Sequence, residues 1–288
     1  MKHFVLLAIL CSMSLAVFAA EAAGPQRVLV LPPGEGNPRN SEGDFIQLKD
    51  GRILFVYTHF TGSASDHGAA FLAGRVSSDG GRTWSDEDSV VLPNEGGMNV
   101  MSVSLLRLQS GEVALFYLRK NSTSDCRPVM RVSTDEAKTW SEPVLCVGPV
   151  GYFVVNNDRV IQLDSGRLVI PMARHCLPGE SFQRRGQALC YLSDDKGVTW
   201  YQSQTILEAP KESSTGLQEP GVVALNDGRL MMLSRTDQGC QMRSYSTDGG
   251  ITWSPVEMTG IASPVSPATV ERIPSTGDLL LLWNDHSN

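Results

Sequence analysis

One eight-residue pattern occurs four times in this chain of 288 residues, and it constrains the fold more than any other feature. The pattern reads Ser-x-Asp-x-Gly-x-Thr-Trp, with alanine in place of the glycine in the second copy. Because self-similarity at a fixed period is the signature of repeat architectures, the chain is expected to consist of similar units of about 50 residues. The copies begin 53 to 60 residues apart and span residues 77–84, 133–140, 193–200 and 246–253.

A second repeat, a tight polar turn that contains glycine, precedes each copy and occurs once more after the last one. Each turn separates two apolar runs of strand length, which is typical of a β-hairpin. Each unit therefore contains an inner hairpin and then an outer hairpin that the Ser-x-Asp turn closes. Four strands per unit, repeated around a ring, form a blade, so we predict an all-β protein with β-propeller architecture. The turn glycines are Gly51, Gly111, Gly166, Gly228 and Gly277.

The Ser-x-Asp pattern has a structural explanation that needs no catalytic aspartate. Aspartate can accept hydrogen bonds from the backbone N–H groups of the turn, glycine can supply a positive φ, and tryptophan can pack between neighbouring blades. We therefore predict a structural role for the four aspartates, which are Asp79, Asp135, Asp195 and Asp248.

The two repeats occur in different numbers, and this difference indicates how many blades of the ring the sequence contains. Five inner hairpins begin, whereas four Ser-x-Asp turns close a unit, so we predict four complete blades and the start of a fifth. An open propeller leaves strand edges unpaired. We therefore expect the sequence to be C-terminally incomplete, with one to two further blades of about 50 residues in the intact protein.

The N-terminal residues predict export. Lys2 and His3 precede an apolar stretch, and small residues follow up to Ala23, which is the pattern of a secretory signal peptide. We assign residues 1–23 to this peptide and residues 24–288 to one propeller domain, and we expect a secreted or periplasmic protein. The apolar stretch is too short for a membrane span of about 20 residues, and no later stretch is long enough to replace it.

Charge and cysteine spacing exclude several classes of ligand. The net charge is -7, so nucleic acid and anionic membranes are not expected as partners. The five cysteines that follow the signal peptide lack metal-site spacing, and we predict no metal and no cofactor. In an oxidising compartment these cysteines allow one or two disulfides and leave at least one thiol free. We expect the protein to act as a monomer.

The repeats and their surroundings resemble the sialidase or neuraminidase superfamily, whose six-bladed propellers carry the same pattern as Asp boxes. Two segments make the resemblance more specific. In the first, Arg39 precedes the first hairpin, and Asp66 follows 27 residues later, ahead of the strand that leads into the first Asp box. In the second, Glu219 begins the hairpin of the fourth unit and Arg235 ends it. The resemblance covers most of the mature chain and implies six blades in the intact protein.

The resemblance implies a retaining exo-α-sialidase that removes terminal sialic acids from glycoconjugates. Arg39 and Arg235 would bind the carboxylate of the sugar, because a guanidinium can donate two parallel hydrogen bonds to it. Asp66 would protonate the departing glycosidic oxygen and later activate water. Glu219 would polarise the tyrosine nucleophile, which is expected beyond Asn288 together with a third arginine. The expected partner is a sialylated glycan or another acidic sugar.

Two other functions fit the same residues. A propeller hydrolase or lyase for another acidic sugar would use the same arginines, since they recognise any carboxylate. A non-catalytic carbohydrate-binding propeller would need neither the acid nor the tyrosine. The residues also have structural alternatives, because Asp66 lies in a loop where aspartate commonly stabilises a turn, and Glu219 fits a solvated position at the start of a strand.

Overall fold

In a computed structural model, residues 26–286 form nineteen β-strands and no helix, which confirms the predicted all-β class. Within this span, accordingly, no helix has the length and hydropathy needed to cross a membrane. The predicted signal peptide, residues 1–23, lies outside the described residues.

The strands form four blades and the start of a fifth, as the repeats predicted. Blade 1 contains β1 (Arg39–Gln47), β2 (Ile53–Phe60), β3 (Ala70–Ser77) and β4 (Ser89–Leu92). Blade 2 contains β5 (Asn99–Arg107), β6 (Val113–Lys120), β7 (Cys126–Ser133) and β8 (Val144–Leu145). Blade 3 contains β9 (Tyr152–Val154), β10 (Ile161–Gln162), β11 (Leu168–Cys176), β12 (Gln187–Ser193) and β13 (Tyr201–Gln202).

Blade 4 and the start of blade 5 follow the same order. Blade 4 contains β14 (Gln218–Ala224), β15 (Leu230–Arg235), β16 (Cys240–Ser246) and β17 (Glu257–Ala262). The fifth inner hairpin consists of β18 (Thr269–Arg272) and β19 (Leu279–Leu282). Neighbouring strands within each blade pair antiparallel, so every blade is a short meander.

Blades 2 and 3 belong to one hydrogen-bonded sheet. The short strand β9 pairs antiparallel with β11 of its own blade, and it also meets β7 of blade 2 in a parallel bridge between Tyr152 and Cys126. The backbone N–H of Cys126 donates to the carbonyl of Gly151 at 2.9 Å. Backbone hydrogen bonds therefore connect these two blades directly.

The turns have the geometry that the repeats predicted. The five hairpin glycines have φ between 76° and 97°, a region that other residues rarely adopt. In the first Asp box, the carboxylate of Asp79 accepts hydrogen bonds from the backbone N–H and the hydroxyl of Thr83, at 2.9 and 2.7 Å. These bonds lower the pKa of Asp79 to about 2. The same bonds recur in the other three boxes, so these aspartates are structural, as predicted.

Apolar side chains pack between neighbouring blades. The cluster between blades 1 and 2, for example, joins Val56 and Leu72 to Leu115 and Val129, all of them fully buried. Similar clusters lie between blades 2 and 3 and between blades 3 and 4. Since blades are joined mainly by these side chains, burial of apolar surface is the main contribution to their association.

Three of the four Asp-box tryptophans pack between blades, as predicted. Trp140 packs against the cluster between blades 1 and 2, and Trp253 is buried among residues of blades 3 and 4. Trp200 lies edge-on to an aromatic ring of blade 2, with ring centroids 6.3 Å apart. Trp84 packs instead on Phe55 of its own blade, since no blade precedes blade 1 within residues 26–286.

The inner strands of blades 1 to 4 are irregular near their starts. Strand pairing shifts in β1, β5 and β14, and residues 155–160 separate β9 from β10. Such bulges change the direction of side chains, and strained backbone of this kind concentrates at functional sites. Each irregularity contains a residue other than glycine in the left-handed region: Glu42 (φ 52°), Ser102 (φ 60°), Asp158 (φ 53°) and Glu219 (φ 44°).

The one or two disulfides that the sequence allowed do not form. All five cysteines in residues 26–286 are free and buried. Cys126 and Cys176 both pair with Tyr152, but β9 lies between their strands β7 and β11. Two strand spacings amount to about 10 Å. A disulfide needs Cα atoms within about 7 Å, so this pair cannot be bridged without moving the backbone.

Candidate active site

The four residues singled out from the sequence lie at the end of the inner hairpins opposite their turns, which we call the site end. Arg39 begins β1, and Asp66 lies in the loop between β2 and β3. Glu219 is the second residue of β14, and Arg235 is the last residue of β15. Because β1 and β14 start at the site end while β2 and β15 finish there, antiparallel pairing brings all four to the same end of their blades.

Arg39 and Asp66 form the first ion pair of the site. One guanidinium nitrogen of Arg39, Nη1, donates to Asp66 Oδ1 at 2.5 Å and to the carbonyl of Ala64 at 3.3 Å. The guanidinium also lies over the ring of Phe60, 4.6 Å from its centroid. These contacts orient Arg39, while the side chain of Asp66 remains 61% exposed and accessible to a ligand.

The backbone of Asp66 is held by blade 2. Its carbonyl accepts hydrogen bonds from Lys120 Nζ at 2.8 Å and from Asn99 Nδ2 at 3.0 Å, and Asn99 also donates to the carbonyl of Gly68. Lys120 is only 2% exposed, and its ammonium lies over the ring of Tyr152. A buried charge needs such partners. The Asp66 loop is thus anchored through its backbone, which leaves the carboxyl free of this anchoring role.

Arg235 and Glu219 form the second ion pair. Arg235 Nη1 donates to Glu219 Oε2 at 2.7 Å, and both side chains are about three-quarters buried. Arg235 Nε is buried and has no hydrogen-bond partner among the described residues. A buried donor without a partner is costly. Nη2 of Arg235 also has no partner among the described residues, so this terminal nitrogen remains for an anionic ligand.

Glu42 lies beside Arg39 of the first ion pair, its charge interacts with Glu219 of the second, and sequence reasoning did not single it out. Its Oε1 is 3.7 Å from Arg39 Nη2, and its Oε2 accepts a long hydrogen bond of 3.4 Å from Ser102. Burial raises its pKa to about 7, with the attraction of Arg39 opposing this and the repulsion from Asp66 and Glu219 adding to it. The charge coupling of Glu42 to both pairs indicates one site with two arginines and three carboxyls.

A second group of buried charged side chains joins neighbouring blades. The carboxylate of Asp44 accepts hydrogen bonds from two backbone N–H groups, and burial, together with the nearby Asp158, raises its pKa. Arg159 is almost fully buried and donates to Thr269 Oγ1 and to the carbonyl of Ala268, both at 3.1 Å. Asp44 thus joins blade 1 to Leu105 of blade 2, and Arg159 joins blade 3 to the start of the fifth inner hairpin.

A cleft of about 520 Å³ adjoins Asp66 on the side of blades 2 and 3. Phe182, in the loop between β11 and β12, is half exposed and stacks on His175 with ring centroids 4.9 Å apart. Its ring also lies edge-on to Tyr152 at 5.2 Å. Aromatic walls with a few polar groups are typical of small-ligand clefts. Sequence reasoning missed Phe182 because its loop carries no repeat.

The residues present can bind a carboxylate and donate a proton beside it. No tyrosine hydroxyl contacts Glu219 within residues 26–286, and no described tyrosine occupies the position that the resemblance implies for a nucleophile. The same residues contain no group of three or more His, Cys, Asp or Glu side chains arranged to hold a metal ion.

Comparison with curated proteins gives relatives that are sialidases. The sialidase of Micromonospora viridifaciens is 25% identical over an alignment of 309 residues, which covers 90% of this chain and 45% of the relative. The anhydrosialidase of Macrobdella decora is 29% identical over 168 residues, which cover 52% of this chain and 19% of the relative. The chain therefore spans less than half the length of these curated relatives.

Solved structures and a family model agree with these relatives. A Hadza microbial sialidase superposes with a TM-score of 0.70 at 19% identity, covering 88% of this chain and 55% of that one. The NanB sialidase of Streptococcus pneumoniae gives 0.66 at 15% identity, covering 89% and 58%. These likenesses show the sialidase-like β-propeller fold. Residues 58–288 match the model of the BNR repeat-like domain, so the chain belongs to that family, within the sialidase-like superfamily.

Proposed function

We propose that this protein is a retaining exo-α-sialidase that removes terminal sialic acids from glycoconjugates. The observation that supports this function most strongly is the meeting of two arginine–carboxyl pairs, Arg39 with Asp66 and Arg235 with Glu219, at the site end of the propeller. The sialidases among its relatives support the same function.

The two arginines would hold the carboxylate that sialic acid carries on its anomeric carbon. Nη1 of Arg235 is bound to Glu219, which orients the guanidinium and leaves Nη2 for the substrate. Arg39, which belongs to the other ion pair, would contribute a second guanidinium. Planar guanidinium groups suit this recognition because each can donate two parallel hydrogen bonds to a carboxylate.

Asp66 would act as acid and then as base. In the first step, the glycosidic C–O bond breaks as Asp66 gives its proton to the leaving oxygen and a tyrosine oxygen bonds to the anomeric carbon, with Glu219 taking the tyrosine proton. In the second step, water attacks the same carbon and gives a proton to Asp66, while the tyrosine leaves with the proton from Glu219. A neutral nucleophile suits a substrate whose own anion lies at the reacting carbon.

The full-length protein is expected to release the fluorophore from 4-methylumbelliferyl α-sialoside, because the site combines carboxylate binding with an exposed acid. Fluorescence release measures this activity, and the corresponding β-glucuronide serves as the comparison substrate. Cleavage of the glucuronide alone would identify a hydrolase for another acidic sugar. Binding of sialyllactose without cleavage of either substrate would identify a carbohydrate-binding propeller instead.

Replacement of Arg235 with lysine is expected to raise KM for a sialoside by about 10- to 100-fold, since one ammonium cannot hold Glu219 and grip a carboxylate with two parallel bonds. The melting temperature should change little, because lysine keeps the positive charge that pairs with the buried Glu219 and the Nε that it lacks has no hydrogen bond to lose. Arg229→Lys is the matched control, since Arg229 lies at the exposed turn of the same hairpin and pairs with Asp227. Equal losses of stability and activity in Arg235→Lys would make Arg235 a structural residue.

A further inference from the structure

The proposed mechanism assigns no task to Glu42, although it is the carboxyl that lies beside Arg39 and interacts by charge with Asp66 and Glu219. We propose that Glu42 determines the charge of the sugar that the site accepts. As a neutral carboxyl it completes, with Arg39 and Arg235, a site for a carboxylate-bearing sugar, and as a carboxylate it repels that sugar. This inference rests on the proposed function, because it takes the ligand to be an anionic sugar. It adds that Glu42 controls the binding of this anion.

The backbone around Glu42 holds this side chain in a defined position. Glu42 adopts φ 52° at the bulge of β1, and the next residue, Gly43, packs closely against the neighbouring strand. A Cβ at Gly43 would lie 2.6 Å from the ring of Phe55 and 2.8 Å from the carbonyl of Val56. The bulge therefore depends on glycine after Glu42. Such a bulge turns the preceding side chain in a direction that a regular strand would not give it.

Glu42 and Asp66 face the two donors with which Arg39 could bind a substrate carboxylate. Nη1 of Arg39 is bound to Asp66 at 2.5 Å, whereas Nη2 lies 3.7 Å from Glu42. The longer distance exceeds a hydrogen bond, so Glu42 acts on Arg39 through its charge alone. A sugar carboxylate that enters here would meet Glu42 directly. A protonated Glu42 can donate a hydrogen bond to that carboxylate, and an ionised one cannot.

Burial and two neighbouring carboxyls favour the neutral form of Glu42 against the attraction of Arg39, and a bound anion would favour it further. Arg39 on the same strand attracts its negative charge, while Asp66 in the loop after β2 and Glu219 on β14 repel it, and Ser102 on β5 contributes a hydroxyl. Burial and these carboxyls raise the pKa of Glu42 to about 7, so both forms exist near neutral pH. A further negative charge within a few ångströms would favour proton uptake.

The test measures binding of 2,3-didehydro-2-deoxy-N-acetylneuraminic acid by calorimetry between pH 5.5 and 8.5. Wild-type affinity should be constant at low pH and fall about tenfold per unit above pH 7, because one proton is taken up with the ligand. Glu42→Gln should bind at pH 5.5 within about threefold of wild type and lose the fall. Titrations in phosphate and Tris buffers at pH 7 should detect proton uptake in the wild type only.

The matched control is Glu257→Gln, which removes an exposed carboxyl on β17 and should titrate like the wild type. If Glu42→Gln keeps the wild-type pH dependence, or if the folded variant fails to bind at pH 5.5, the inference is wrong. Should Glu42→Gln fail to fold, Glu42→Asn provides the same test, since asparagine adopts left-handed backbone readily.

A failure of the proposed function gives a different result. If the sialic acid analogue binds at no pH, the sialidase proposal is wrong, and the same titrations are made with glucuronate and glucose. If glucuronate binds with a pH dependence that Glu42→Gln removes, the role of Glu42 is supported although the sialidase proposal is not. Binding of glucose without glucuronate, or of neither sugar, would overturn that role as well.

Discussion

Replacement of Asp66 with alanine is expected to slow hydrolysis of a natural sialyl-galactoside by about 10²- to 10⁴-fold, and hydrolysis of an aryl sialoside far less. An alkoxide leaving group needs a proton from the acid, whereas a phenolate leaves without one. The melting temperature should change little, because the contacts that anchor the loop to Lys120 and Asn99 use the backbone carbonyl of Asp66. Steady-state rates on the two substrates and thermal denaturation measure these effects.

The control for this variant is Asp86→Ala, which removes an exposed aspartate from the same blade. Both substrates could be slowed to a similar extent if the second step, in which Asp66 would serve as the base, limits the reaction of the aryl sialoside. Burst kinetics separate the two steps. Wild-type rates of the Asp66→Ala variant on the natural substrate would make Asp66 an ordinary loop residue.

Replacement of Trp253 with alanine is expected to lower the free energy of unfolding by about 3–5 kcal/mol, the usual cost of removing a large buried aromatic side chain. Trp253 is 6% exposed, packs among residues of blades 3 and 4, and donates from Nε1 to the carbonyl of Gly250 at 3.0 Å. Urea-induced unfolding followed by circular dichroism measures the loss.

Trp84→Ala provides the comparison within the same repeat. Trp84 makes the same hydrogen bond, from Nε1 to the carbonyl of Gly81, but its ring is only partly buried. A smaller loss is therefore expected for Trp84→Ala. If both variants lost the same stability, the turn hydrogen bond rather than packing between blades would account for the role of the tryptophan.

The repeats made the fold predictable from the sequence. The hairpin glycines and the Ser-x-Asp turns are local features, and a positive φ or a carboxylate that accepts turn N–H groups depends on residues within a few positions. Packing of the tryptophans between blades was also predictable, except for Trp84. The absence of disulfides was not predictable, because the distances between cysteines on different strands depend on the strand order of the sheet. The insertion of β9 between the strands of Cys126 and Cys176 has no local signal.

The site was predictable only where the resemblance provided it. Spacing indicated Arg39 with Asp66 and Glu219 with Arg235, and the structure places each pair in contact. Their catalytic roles stay predictions. Glu42 was missed because its position depends on a bulge and on its distance to residues of other blades, neither of which its neighbours in sequence reveal.

The backbone contacts of strand β9 affect which blades can separate from each other when the protein unfolds locally. Where blades meet through side chains alone, each can separate from the next without breaking a backbone hydrogen bond. Blades 2 and 3 cannot, because the Cys126 amide is bonded to Gly151 across their boundary. Blades 3 and 4 cannot either, because the Leu217 amide of blade 4 is bonded to the carbonyl of Gly186 in blade 3 at 2.9 Å. In native-state hydrogen exchange, blades 2, 3 and 4 should therefore behave as one cooperative unit, whose most protected amides persist while blade 1 opens independently.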